Sequence, residues 1–286
     1  MAGTYIQQDV RTPPSPLPLP PSPDDRRAAA VALAIRSCAW VVVTALYQPA
    51  LAKLMPPNTS SPHCWLAFVD RPEHSLSQWT AVPLLLFHSY ERNENFVKVM
   101  LPAVFPQPSV FLNHVLPEAR CFTIEHLVRA RELHAAASSR PHLFASKIPS
   151  WSGRSLLSSQ LALTRDFLTR RNHSAALADL QAACARMAHA GLNLSSATLP
   201  RITDTLWMVW PTPDEAARRF SRLWAHEVAL YSSFEKVSYP WVLLQVAEMR
   251  VWLTDAVYIY SPLQRCGSGW VKAKPKRALR HRQLHA

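Results

Sequence analysis

Glycine is scarce in this chain, and its scarcity excludes several well-defined sites. Only 5 of the 286 residues are glycine. They form no G-x-G-x-x-G dinucleotide fingerprint, no Walker phosphate loop and no G-x-S-x-G nucleophile elbow. A phosphate bound by this chain would therefore be held by side chains, a helix N-terminus or a metal ion.

Cysteine is also rare, and its spacing argues against a zinc site. The 5 cysteines are far apart and no C-x-x-C pair occurs, whereas structural zinc sites use closely spaced pairs. We interpret most of them as small buried apolar residues. Cys38 and Cys64 flank predicted strands, and the sequence leaves open whether they form a disulfide.

Acidic residues are missing from the C-terminal tail, which supplies much of the net charge of +12. Residues 261–286 are predicted to be a disordered basic tail, and residues 1–27 a disordered proline-rich leader. The alternative for the tail is a patch that binds anionic lipid or nucleic acid. Nucleic acid is the less expected partner, because few aromatic residues accompany the basic ones for stacking on bases.

A run of apolar residues over 28–46 is nearly long enough to cross a bilayer. Arg36 in its middle would cost about 2.5–3.5 kcal/mol on insertion, so we predict a helix over 28–36 and a buried strand over 40–46, with a membrane anchor as the alternative. N-glycosylation sequons begin at Asn58, Asn172 and Asn193 and would be used only in a secretory compartment. The sequence is compatible with the Golgi or secretory pathway and with the cytoplasm.

Strand-like and helix-like segments alternate along the chain, and 49% of its residues are apolar. This alternation predicts an α/β fold with a mainly parallel twisted sheet flanked by helices, in one domain over 28–260. Predicted strands cover 39–46, 64–69, part of 79–88, 109–115, 142–148 and 202–210. Predicted helices cover 93–104, 124–137, 156–169, 174–190, 213–230 and 239–253.

Several short sequences, taken in order, resemble a family of plant, algal and bacterial proteins. They are WVVVTALY at 40–47, WLAFVD at 65–70, QW at 78–79, RN-x4-K-x2-LP-x2-FP over 92–106, VFLNH at 110–114, LWAHE at 223–227 and FEKVSY at 234–239. The family, long labelled a domain of unknown function, is grouped with plant mucilage-related glycosyltransferases. The resemblance implies a GT-A-like fold that transfers a sugar from a nucleotide-sugar donor to a glycan or glycoconjugate hydroxyl.

The resemblance also implies which residues bind the donor. Asp70, Arg92 and Lys98 would hold the nucleotide and its diphosphate, with Asn113 beside them. Asn113 stands where the family has the strand-end aspartate that holds Mn²⁺ or Mg²⁺, and a neutral amide is a much poorer ligand for such ions. His114 would then be a ligand for a softer metal. This departure from the family argues against tight Mn²⁺ or Mg²⁺ binding and leaves open whether the chain is active or has reduced or lost activity.

Two acids are the candidate catalytic residues. Glu227 shares a helical face with large apolar side chains, where a carboxylate needs a partner or a role, and as general base it would deprotonate the acceptor hydroxyl. Glu235 is the second candidate. The structural alternative for Glu227 is an ion pair with Arg219 or Arg222.

The other candidates also have structural alternatives. Asp70 would cap a turn, Arg92 and Lys98 would lie on a solvated helix face, and His114 would be a surface residue. At the level of function, the alternatives are a non-catalytic member of the fold that binds a glycan or nucleotide, and a lipid-amide hydrolase, an activity attributed to a plant relative. The hydrolase would need a metal or Ser/His constellation, which the sequence lacks at motif spacing.

Overall fold

The computed structural model describes residues 35–47, 63–70, 79–112, 141–147 and 156–255. These residues confirm the predicted α/β class, with a seven-stranded sheet in the order β3-β2-β1-β4-β6-β5-β7. The strands are β1 (Val41–Leu46), β2 (Cys64–Val69), β3 (Thr80–Pro83), β4 (Ser109–Leu112), β5 (Leu143–Lys147), β6 (Thr203–Trp210) and β7 (Val251–Asp255). The helices are α1 (Tyr90–Val104), α2 (Leu157–Arg170), α3 (Ser174–His189), α4 (Glu215–Leu230) and α5 (Glu235–Leu244).

The sheet is mainly parallel, as predicted. β1 pairs in parallel with β2 and β4, β2 with β3, and β5 with β7. β6 pairs antiparallel with both β4 and β5, so it runs opposite to the other six strands. Every residue of β1 is buried, which is typical of a parallel strand covered by helices on both faces.

Aromatic side chains fix α4 and α5 against each other and against β6. Trp210, Phe220, Trp224 and Tyr239 are all fully buried. The ring centroids of Trp224 and Tyr239 are 5.2 Å apart, and those of Phe220 and Trp224 are 5.3 Å apart. Such pairs contribute about 0.5–1.5 kcal/mol each beyond the burial of their area. The ends of α4 and α5, which carry Glu227 and Glu235, are therefore held in defined positions.

An antiparallel pair of helices, α2 and α3, lies between β5 and β6 in the sequence. Its apolar side chains form a core cluster with residues of the following loop and of α5: Leu157, Leu161, Leu168, Leu180, Met187, Ile202 and Val237. Gly191 follows the C-cap residue Ala190 and has a positive φ of 89°. The N–H of Gly191 donates to Ala188 O and that of Leu192 to Met187 O, which is the Schellman arrangement.

The predicted helix over 239–253 is wrong. α5 begins at Glu235 and ends at Leu244, and Val251–Asp255 forms β7, paired in parallel with β5. A short apolar run can be read with helix or strand periodicity, and the β-branched and aromatic residues of VWLTD favour a strand. This segment forms a strand rather than a helix because it can hydrogen-bond to the free edge of β5.

A disulfide joins Cys38 to Cys64, with their Cα atoms 5.8 Å apart. This distance lies within the range of about 4.4–6.8 Å found for disulfides. The bridge that the sequence left open is therefore present, and it ties the segment before β1 to the first residue of β2. Cys184, the free cysteine in the described residues, is half-buried and packs against the α2–α3 cluster.

The strand predicted over 40–46 is present as β1. Among the described residues, no helix combines the length and apolarity needed to cross a membrane. Residues 28–34 of the predicted N-terminal helix lie outside the described residues. So do the predicted helix over 124–137, the leader over 1–27 and the tail over 261–286.

Candidate functional site

The strand order reverses direction between β1 and β4. β2 and β3 lie on one side of β1, and β4 lies on the other. In open α/β sheets, ligands bind outside the carboxyl ends of the strands at such a reversal. Tyr47 follows β1 and Asp70 follows β2, so both lie at this edge, which we call the carboxyl edge. The predicted ligands Asn113 and His114, which follow β4 in the sequence, lie outside the described residues.

Tyr47 is the buried side chain at the end of β1. Within the described ranges its hydroxyl has no hydrogen-bond partner. Burial first, and then the negative charges of Asp70 and Glu94, raise the pKa of this hydroxyl far above its usual range. Tyr47 therefore stays a neutral hydrogen-bond donor near two acids, and sequence reasoning missed it although it directly follows a predicted strand.

A buried asparagine fixes the loop that leads from β3 into α1. Asn93 Oδ1 accepts hydrogen bonds from the backbone N–H groups of Leu86 (2.8 Å) and Phe87 (3.1 Å). Its Nδ2 donates to Phe87 O (2.6 Å) and Ser89 O (2.8 Å). Ser89 also caps α1 by accepting from the N–H of Arg92. Because α1 connects parallel strands, these bonds hold its N-terminus at the carboxyl edge.

Lys98 and Glu235 form a buried ion pair between α1 and α5. Lys98 Nζ lies 3.1 Å from Glu235 Oε1, and it also donates to Asn95 Oδ1 at 2.7 Å. Thr205 on β6 donates its hydroxyl to the same Glu235 oxygen. Burial alone would raise the pKa of Glu235, but Lys98, Lys236 and the Thr205 hydrogen bond outweigh it and hold this pKa below its usual range. Glu235 is therefore ionised and engaged on several sides.

The surroundings of Lys98 continue the same network. Its ammonium lies 5.4 Å from the ring centroid of Phe111 on β4, a distance at which the ring face attracts a cation. Asn95 donates to Ser233 O at 2.6 Å, and Trp224 donates its indole N–H to Glu235 O at 2.9 Å. The backbone between α4 and α5 is thus held against α1.

Two further acids lie on α1 beside this ion pair. Burial, followed by the charges of Glu235 and Glu94, raises the pKa of Glu91 to about 7. The Glu91 side chain is exposed, so solvent moderates these charge effects. The pKa of Glu94 is also raised, because burial outweighs the attraction of Lys98. The spacing of Glu91, Glu94 and Lys98 at three and four residues places them on one helix face, which is the sequence signal that could have identified these acids.

Arg92, predicted to bind the donor diphosphate, is paired across the molecule with Asp179 on α3. Its guanidinium also lies 5.9 Å from the ring centroid of Phe87. Arg92 is only partly exposed and Asp179 is more exposed. The pair therefore brings α3 to the first turn of α1, at the carboxyl edge.

Glu227 is paired with Arg186 of α3 rather than with Arg219 or Arg222. Glu227 is almost fully buried and Arg186 is less so. The Arg186 guanidinium lies 4.1 Å from the ring centroid of Tyr231 and 5.5 Å from that of Trp241. Burial raises the pKa of Glu227 more than Arg186 lowers it. Glu227 therefore has a raised pKa and is ion-paired with the Arg186 guanidinium. It lies three residues before the end of α4.

The predicted residues in the described ranges all lie on elements that meet at the carboxyl edge. Asp70 follows β2, Arg92 lies in the first turn of α1, Lys98 lies in the middle of α1, and Glu235 begins α5. Glu227 lies in the last turn of α4, which runs toward this edge because it follows the reversed strand β6. Contacts link Arg92 and Glu227 to α3 and Lys98 to α5.

No set of three or more His, Cys, Asp or Glu side chains in the described part of the chain is arranged to hold a metal ion. Comparison of the chain with protein-family models, curated proteins and solved structures gives no match.

Proposed function

We propose that this chain is a GT-A-like glycosyltransferase that binds a nucleotide sugar at the carboxyl edge and transfers its sugar to a glycan or glycoconjugate hydroxyl. The observation that supports it most is the reversal of strand order between β1 and β4. The order β3-β2-β1-β4 is that of the first four strands of dinucleotide-binding sheets, where the ligand lies at this reversal. The quoted sequence resemblance supplies the nucleotide-sugar class.

Tyr47 and Asp70 are the proposed contacts for the nucleoside. The Tyr47 hydroxyl stays protonated and has no partner within the described ranges, so it would donate to an oxygen of the base or ribose. Asp70 would accept from a ribose hydroxyl, as acids at strand ends do in dinucleotide sites. A buried donor without a partner costs about 1–3 kcal/mol, and a bound nucleotide would recover part of this.

The N-terminus of α1 is the proposed position of the diphosphate. Helix N-termini attract anions through free N–H groups and the helix dipole. Arg92 in this turn would exchange its partial pairing with Asp179 for the diphosphate, since both side chains of that pair are in contact with solvent. Lys98, one to two turns further on, adds positive charge but stays held by Glu235.

Glu227 is the proposed general base. In the reaction, the acceptor oxygen would form a bond to the anomeric carbon, the bond from that carbon to the diphosphate would break with its electron pair, and the acceptor proton would pass to Glu227. A raised pKa brings a carboxylate closer to the pH at which base catalysis is efficient. Glu235, whose pKa is lowered and whose oxygen is held by Lys98 and Thr205, is better suited to positioning Lys98.

Donor binding is the first test. Isothermal titration calorimetry with UDP-sugars, with and without Mn²⁺, should show binding that Tyr47→Phe weakens by about fivefold or more, which is the loss of one hydrogen bond of about 1 kcal/mol. Tyr239→Phe is the matched control, because this buried tyrosine packs among Phe220 and Trp224. Equal effects of the two variants, or no binding by the wild-type chain, would contradict the proposal.

The pH dependence of binding tests the position of the diphosphate. The pKa of Glu91 is raised, by less than full burial would give because the side chain is exposed, so this group becomes negative as the pH rises toward neutrality. We therefore expect the affinity for UDP-sugar to fall as the pH is raised from about 5 to about 8, and Glu91→Gln to remove most of this fall. An affinity that changes equally in both proteins would place the diphosphate elsewhere.

A non-catalytic nucleotide or glycan binder is the second candidate. The observation that favours it is that Glu227 and Glu235 are both ion-paired, with Arg186 and Lys98. Release of UDP from UDP-sugar in the presence of acceptor glycans distinguishes the two. Turnover that Glu227→Gln abolishes while donor binding persists supports the transferase, and metal-independent binding without turnover supports the binder.

A further inference from the structure

The loop between α3 and β6 presents one sequon outward in an ordered turn. In this sequon, Asn193-Leu194-Ser195, Asn193 and Ser195 are exposed. Leu192 and Leu194, which flank Asn193, pack against the α2–α3 apolar cluster. The Schellman end of α3 fixes the preceding residue, Gly191. Because the leucines on both sides of Asn193 pack against the protein, the Asn193 side chain points toward solvent.

The asparagine amide and the serine hydroxyl of this sequon lie together. Asn193 Oδ1 accepts from the Ser195 hydroxyl at 2.8 Å and from the Ser195 N–H at 3.1 Å. A glycosylating enzyme has to recognise both groups at once, since the sequon is defined by the asparagine and the hydroxyl two residues later. Here both are on one exposed turn that lies outside any helix or strand, so an enzyme has to open only that turn to engage them.

The sequon Asn172-His173-Ser174 provides a contrast within the same chain. Asn172 is also exposed, but it has a positive φ of 54° in the tight turn between α2 and α3. Its serine, Ser174, is the first residue of α3. An enzyme could extend this sequon only by unwinding the first turn of that helix.

The disulfide supplies an independent observation on the compartment. Cys38 and Cys64 are bridged, and stable disulfides form in oxidising compartments such as the endoplasmic reticulum lumen. N-glycosylation takes place in the same compartment. We propose that Asn193 carries an N-linked glycan in the native protein, a modification independent of the proposed transferase activity.

The chemistry requires a lipid-diphosphate-linked oligosaccharide as donor. The Asn193 amide nitrogen forms a bond to the anomeric carbon of the first sugar. The bond from that carbon to the diphosphate breaks, and the lipid diphosphate leaves with the electron pair. The amide nitrogen loses one proton to a base of the transferring enzyme.

The test is expression of the full-length tagged chain in cultured eukaryotic cells, with and without an added cleavable secretory leader. Peptide-N-glycosidase treatment should increase the electrophoretic mobility of the wild-type chain in both arms, and mass spectrometry should find the converted residue at position 193. Asn193→Gln and Ser195→Ala should each reduce this shift by the contribution of one glycan. Ser195→Thr, which keeps the hydroxyl, and Asn172→Gln should retain it.

Each other outcome overturns the proposal. A mobility shift of undiminished size in Asn193→Gln assigns the glycan to another asparagine. No shift in either arm shows that the loop is not an acceptor, and a shift only with the added leader shows that the chain does not reach the glycosylating compartment. Alkylation of free thiols without reductant reports whether the Cys38–Cys64 bridge is intact, and so separates a misfolded variant from an unglycosylated one.

Discussion

Removal of the Lys98 ammonium should destabilise the protein strongly, because it leaves Glu235 buried without its main counter-charge. Lys98 and Glu235 are both nearly inaccessible to solvent, and their charged atoms are 3.1 Å apart. Lys98→Met keeps most of the apolar stem. It removes the contact to Glu235 and the 2.7 Å hydrogen bond to Asn95.

The expected loss follows from the burial of the pair. Breaking a buried ion pair by removing one partner costs about 3–5 kcal/mol, which is a large part of a typical stability of about 5–15 kcal/mol. For a domain of this size, about 1 kcal/mol shifts the melting temperature by about 2–4 °C. Lys98→Met should therefore melt about 6–20 °C below the wild-type chain.

Thermal and urea unfolding of Lys98→Met, Glu235→Leu and the double variant form a double-mutant cycle. The double variant should recover much of the loss, because replacing both members of a buried ion pair by apolar residues is often close to neutral. A double variant that loses the sum of the two single losses would refute the reasoning.

The pH dependence of Lys98→Met gives a second readout. In the wild-type chain the pKa of Glu235 is lowered, so the stabilising effect of this ion pair is lost only on acidification below the unfolded pKa of about 4.3. Without Lys98 that pKa should rise above its unfolded value. The stability that Lys98→Met loses relative to the wild-type chain should then be largest at pH 8 and become smaller toward pH 5. A loss that does not change with pH would contradict the assignment of Lys98 as the counter-charge of Glu235.

Three other predictions concern stability. The Nδ1 of His142 accepts from the Arg250 N–H at 3.0 Å, and burial is the main reason that the pKa of His142 is lowered. The stability of the protein should therefore fall as the pH drops below about 6.5. In urea titrations at pH 7.5 and 5.5, His142→Gln should reduce this fall. Replacing both Cys38 and Cys64 by serine should cost about 3.5 kcal/mol by the loop-entropy relation for a separation of 26 residues; dithiothreitol should lower the melting temperature of the wild-type chain but not of the variant. Asn93→Ala should lower the free energy of unfolding by more than about 2 kcal/mol, because backbone groups bonded to a fully buried side chain lose their partner. The same variant should weaken UDP-sugar binding. Unchanged chemical unfolding would contradict the role of this residue.

Much of the sheet could be predicted because its strands are buried on both faces. The runs VVVTAL and CWLAFV read as parallel core strands from composition alone, and they are β1 and β2. The reversed direction of β6 could not be predicted, since the run TDTLWMVW has the same composition whichever way the strand runs. Direction depends on the connection through α2 and α3, which local pattern does not encode.

The partners of the site residues were the least predictable part. Glu227 was expected to pair, if at all, with Arg219 or Arg222, which are near in sequence. Its partner, Arg186, is 41 residues away and lies on a different helix, α3. The pairing of Lys98 with Glu235 spans 137 residues. Helical spacing identifies neighbours within one turn and carries no information about such contacts.

Within the part of the chain that the structure describes, β3 lies at one edge of the sheet, which has a consequence for assembly. It is only four residues long, its first and last residues are exposed, and the last is Pro83. A proline lacks the N–H that an added strand would need, and short strands ending in proline are a common way to prevent edge-to-edge pairing. Lateral growth of the sheet by addition of a second molecule at this strand is thereby discouraged, so a purified sample should resist fibril formation nucleated there.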